Sequence, residues 1–87
     1  MKARAVFAWN LRRLRLERGI SQERLAADAE VDRAYVSELE RKKGNATLDL
    51  IERLANVLDI PLSELFLLPI TGKKLKALKS GRKKAAR

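Results

Sequence analysis

Apolar residues recur along this chain at intervals of three and four, and the intervals predict helices throughout. Phe7, Leu11 and Leu14 mark one face of a first helix over about residues 4–18, with basic residues between them. Gly19 follows its last turn, where a left-handed cap is expected, and Ile20 is the apolar contact that accompanies such a cap. Ser21 is a good N-cap for a second helix over 21–29, with Glu23 favouring the positive end of its dipole and Leu25, Ala26 and Ala29 facing inward. After Glu30 and Val31, Asp32 stands as cap of a third helix over 32–42 that turns Val36 and Leu39 to the core. Gly44 and Asn45 break the pattern. Thr47 caps a fourth helix, 47–58, with Ile51, Leu54, Ala55 and Leu58 on its buried face, and Pro61 fits the first position of a fifth, 61–66. The fold class is therefore all-α, a compact five-helix domain over 1–68.

The spacing within the second and third predicted helices is more specific than periodicity alone. Counting from Gln22, small Ala26 is fifth, Val31 tenth, Val36 fifteenth and Leu39 eighteenth. A small residue lets two helices approach closely where they cross, and the later apolar positions anchor the second on the core. That is the pattern of a helix-turn-helix, whose second helix protrudes with its first turn free and fits the major groove of B-DNA. On this geometry Arg33 can pair bidentately with guanine O6 and N7, Ala34 can touch a thymine methyl, Tyr35 and Ser37 can bond a base edge or phosphate, and Glu38 can accept from cytosine N4. Ser21 and Gln22 lie where the second helix would receive a phosphate, and Lys42, Lys43 and Asn45 would hold the backbone beyond the third.

Charge adds less than its total suggests. The chain carries 20 basic and 11 acidic residues, a net +9. Eight of the basic residues and none of the acidic ones lie in 69–87, so residues 1–68 hold only +1. The lysine-rich end reads as a flexible, nonspecific arm that would raise affinity for any polyanion and steepen its salt dependence. With neither cysteine nor histidine, and no phosphate loop or evident carboxylate pair, no catalytic site, metal site, cofactor or small-molecule ligand is expected. No apolar run is long enough to span a bilayer and no signal pattern opens the chain, so a cytoplasmic protein is expected.

Leu50 and Val57 flank the buried stripe of the fourth predicted helix, and Leu62, Leu65, Leu67, Leu68 and Ile70 follow. This is more apolar surface than a lone domain of this size needs. It is read either as the margin of the core or as a two-fold dimer contact built from Leu50, Val57, Leu62, Leu65 and Leu67. Trp9 is expected as a half-buried anchor of the first helix.

The span LRRLRLERGISQERLAADAEVDRAYVSELER, followed by NATLDLIERLANVLDIPLSELF, resembles the XRE-type helix-turn-helix family that includes Cro and the phage repressors. The resemblance covers about residues 5–66 and rests on G-I-S-Q, L-A, V-S-x-L-E-R and L-x-I-P-L-S-E-L-F at their spacings. D-R-A-Y-V-S also looks like the recognition helix of the controller proteins of restriction–modification systems, which often read D-R-T-Y-I-S. The resemblance implies a lambda-repressor-like fold, double-stranded DNA as partner, and a homodimer on a near-palindromic operator, with autoregulation. It further implies an ion pair between Arg15 and Glu40. The sequence departs from the family where Glu30 replaces the turn glycine, and where Lys42 and Ala46 replace a glycine and a proline after the recognition helix. An alternative role is that of an antitoxin or coactivator-like protein, binding a protein partner through the region of the fourth and fifth predicted helices.

Overall fold

The computed structural model describes residues 2–68. The basic tail expected over 69–87 lies outside the described residues, as do Ile70 and the lysines beyond it. Four α-helices follow in order: α1, Ala3–Glu17; α2, Gln22–Ala29; α3, Arg33–Glu40; and α4, Leu48–Leu58. The fifth expected helix is instead a 3-10 helix, Leu62–Phe66, with Pro61 before it in extended conformation. Expected boundaries elsewhere hold within two residues. Ser21 and Thr47 cap α2 and α4 through their hydroxyls, at 2.9 Å from Arg24 N and 3.1 Å from Leu50 N. Asp32 occupies the cap position of α3, but its carboxylate makes no cap bond. The amides of Arg33 and Ala34 consequently have no protein partner among the described residues.

One stop signal ends all four helices. Gly19, Glu30, Lys42 and Asp59 each adopt positive φ, between 56° and 68°. At each, the left-handed residue donates to the carbonyl three before it, and the next residue donates to the carbonyl five before itself. These paired bonds satisfy carbonyls that a helix end leaves open. Ile20, Val31 and Ile60, which follow three of these caps, pack against the core. Only the first of the four caps is glycine. Glu30 and Lys42 thus follow the path their missing glycines would take, at a cost of roughly 1–2 kcal/mol each.

The core gathers Phe7, Leu11 and Leu14 of α1, Leu25, Ala26 and Ala29 of α2, Val36 and Leu39 of α3, and Leu50, Ile51, Leu54, Ala55 and Leu58 of α4. Leu65 of the 3-10 helix completes it, and Phe66 stacks on Phe7 with ring centroids 5.8 Å apart. α1 packs on α3 and the 3-10 helix, while α2 packs on α3 and α4. Leu50 and Leu65, two residues of the expected dimer contact, are therefore buried within the protomer, because α4 and the 3-10 helix need them to close the core. Leu62 and Leu67 remain exposed, and Val57 is half-buried against the core margin.

The end of the 3-10 helix is held from α1. Asn10 is fully buried, and its side-chain amide lies within hydrogen-bond distance of the carbonyls of Val6 (3.0 Å), Leu65 (3.1 Å) and Leu67 (2.8 Å). Two carbonyls at the end of the segment are thus taken up by a side chain, and the backbone is extended at Leu67. Asn10 stands beside Phe7, Leu11 and Leu14 on the inward stripe, so a polar residue at a core position was the available sequence signal.

Candidate nucleic-acid interface

Val36 and Leu39 are buried beneath α3, and Arg33, Ala34 and Glu38 stand on its exposed side. Three residues separate the last residue of α2 from the first of α3, and small, buried Ala26 lies where the two pack. The protruding first turn of α3 thus has its base-reading candidates on one surface, with Ser37 half-buried next to them. Among the described residues, Arg33 makes no ion pair. Its side chain is exposed.

Tyr35 is placed differently from the expected base contact. Its hydroxyl donates to the carbonyl of Asn45 at 2.6 Å, so the proton it would offer a base is engaged within the protomer. Its ring lies under Gly44, where an added Cβ would come 3.4 Å from Tyr35 Cε1 and only 2.8 Å from Leu39 Cδ2. Gly44 is therefore needed for close approach of the loop to α3, and not for a left-handed turn. Together these contacts clamp the α3–α4 loop along the recognition helix. Lys42 and Lys43 emerge from the beginning of that loop, exposed and without a carboxylate partner among the described residues.

Below α3 lies a polar cluster. Arg15 Nε and Nη2 donate to the two carboxylate oxygens of Glu40 at 2.7 and 3.0 Å, a fork-on-fork pair whose side chains are 8% and 2% exposed. The third guanidinium nitrogen donates to the carbonyl of Ile20 at 2.9 Å. Gln22 Nε2 donates to Glu40 at 3.0 Å. One N–H of the Gln22 amide, expected to hold a phosphate, is thus committed to the cluster, and its second N–H has no partner among the described residues. Ser21 accepts from Arg24 N and keeps its hydroxyl proton to donate. The cluster joins α1, the first turn of α2 and the end of α3, so it sets the crossing of the two helices that would meet DNA.

Asn45, the last expected phosphate contact, accepts at Oδ1 from Arg4 Nε (3.2 Å) and from Arg4 Nη2. Sequence spacing had not singled out Arg4. On the outer side of α1, Trp9 is 44% exposed and carries the Arg13 guanidinium 5.1 Å above its ring, so it is less an anchor than the wall of a shallow surface. Among the described residues no helix is long and apolar enough to cross a membrane, and no acidic cluster is placed to hold a metal ion.

Comparison with known proteins agrees with this geometry. The helix-turn-helix family profile matches residues 11–65. A hypothetical transcription factor of Neisseria meningitidis is 46% identical over 66 residues, which span 76% of this chain and 62% of the relative. The crystal structure of the restriction–modification controller protein C.AhdI from Aeromonas hydrophila is 44% identical, covering 72% of this chain and 96% of that one with a TM-score of 0.70. The controller protein C.Esp1396I, solved as a tetramer in complex with its natural 35 base-pair operator, is 29% identical. It covers 76% of this chain and 87% of that one with a TM-score of 0.68.

Proposed function

The chain belongs to the XRE-type helix-turn-helix family, and on that premise we propose that it is a sequence-specific DNA-binding transcription regulator. The observation that carries the proposal is the exposed first turn of α3, with Arg33 free of any ion pair among the described residues and Ala34 beside it, over a buried Val36 and Leu39. Arg33 would read a guanine, Ala34 would admit the helix to the groove, and Glu38 and Ser37 would complete the base edge. Ser21, the free N–H of Gln22, Lys42 and Lys43 would hold phosphates on either side.

A homodimer would place two such helices in successive major grooves, about 34–36 Å apart, on a near-palindromic operator. Exposed Leu62, Leu67 and Leu68, and half-buried Val57, would supply the apolar surface for the second protomer. The operator-bound tetramer of C.Esp1396I supports this reading, as do the controller relatives. Autoregulation is part of the same proposal. The basic segment 69–87 would serve as a sequence-independent arm.

Footprinting on the DNA upstream of the protein's own gene tests the reading. The intact chain is expected to protect two half-sites one turn apart. Arg33→Ala should lose about 1–3 kcal/mol of preference for the site while binding random duplex unchanged. Equal loss on both duplexes would remove Arg33 from base readout.

A further inference from the structure

The cations of the described residues fall into two sets. Arg13, Arg15, Arg24 and Arg53 lie against Glu17, Glu40, Asp28 and Glu30. The other eight, Arg4, Arg33, Lys42 and Lys43 among them, make no ion pair among the described residues. Four of this second set belong to α3 or the loop after it. Arg4 stands far away in sequence, in the first turn of α1.

Arg4 is nevertheless brought to the same surface. Its Nε and Nη2 donate to Asn45 Oδ1, and the Asn45 carbonyl accepts from the Tyr35 hydroxyl. The chain Arg4–Asn45–Tyr35 ties the start of α1 to the flank of the recognition helix. Its acceptor is a neutral amide, so the guanidinium is oriented without being neutralised. Nη1 and the second hydrogen on Nη2 make no protein hydrogen bond among the described residues. An exposed arginine held by one edge, with its charge and remaining donors open, suits a phosphate oxygen.

We infer that Arg4 is a phosphate-contacting residue, so that the first turn of α1 forms part of the duplex-binding surface. Its contact lies beside Asn45, in the loop that begins with Lys42 and Lys43. The inference rests on the DNA-binding reading above. It differs from a purely structural role, in which Arg4 only pins the loop, by what it predicts for salt.

The test compares the full chain with Arg4→Gln and Arg4→Lys on an operator fragment and on a random duplex of equal length, between about 50 and 200 mM salt. Arg4→Gln is expected to weaken both duplexes by the same factor and to lower the slope of log affinity against log salt by about 0.9, the share of one phosphate. Arg4→Lys, which keeps the charge, should restore the slope. An unchanged slope in Arg4→Gln overturns the inference, whether or not its melting temperature falls. A loss confined to the operator also overturns it. If the intact chain binds neither duplex, the DNA-binding reading fails with it; if Arg33→Ala behaves as expected and Arg4→Gln keeps the wild-type slope, only Arg4 has been misassigned.

Discussion

Beneath α3 a guanidinium, a carboxylate and an amide meet, and Arg15, Glu40 and Gln22 close a network in which both charges are almost wholly removed from water. Beneath the C-terminal segment a single neutral amide, that of Asn10, gathers the carbonyls of Leu65 and Leu67 and carries Arg13 Nη2 on its own oxygen at 2.9 Å. Both clusters join α1 to an element distant in sequence. They differ in what failure would leave behind. Breaking the first strands a buried ion, while breaking the second strands neutral carbonyls at the edge of the molecule. The charged cluster fixes two planar groups against each other, so it suits the helix whose angle decides how side chains enter a groove. The neutral one suits a segment that needs only to be drawn down onto α1.

The most severe test of this contrast is Glu40→Ala. It should destabilise the domain by about 3–5 kcal/mol, because Arg15 would remain buried without its counter-charge. For a domain of this size the melting temperature should then fall by at least ~12 °C. The folded fraction should keep the wild-type ratio of operator to random-duplex affinity. An unchanged melting temperature would show the pair to be dispensable.

A smaller effect is expected at the other cluster. Asn10→Ala should cost about 1–3 kcal/mol through unsatisfied carbonyls. Hydrogen exchange should show its consequence locally, as lost protection over 62–68 while α2 and α3 stay protected. Uniform loss across the domain would mean that Asn10 supports the whole core and not one segment. The mildest change is Gln22→Ala. It removes the neutral member of the charged cluster while both Arg15–Glu40 bonds remain, and chemical denaturation should register only about 0.5–1.5 kcal/mol. A cost as large as that of Glu40→Ala would place the strength of the cluster in the amide and not in the ion pair.

Helix positions and core were written in local pattern. The stripe of Phe7, Leu11 and Leu14, the caps Ser21 and Thr47, and the Gln22-to-Leu39 spacing each follow from the 3.6-residue period and the chemistry of helix ends. For the same reason the open side of α3, with Arg33 and Ala34, was legible: burying Val36 and Leu39 leaves it outward. Arg15 and Glu40 were expected as partners only through family resemblance, since nothing local links residues 25 positions apart.

What tertiary structure alone decided concerns groups whose partners are remote. The amide of Asn10 ties the end of the 3-10 helix to α1, and core closure took Leu50 and Leu65 away from the outer surface. The Tyr35 hydroxyl donates its hydrogen bond to a loop carbonyl, and Asn45 of that loop holds Arg4. Periodicity ranks positions by which side of an element they occupy. It carries no information about which donor, across a gap of 40 or 50 residues, arrives within 3 Å of which acceptor; that depends on how the helices pack.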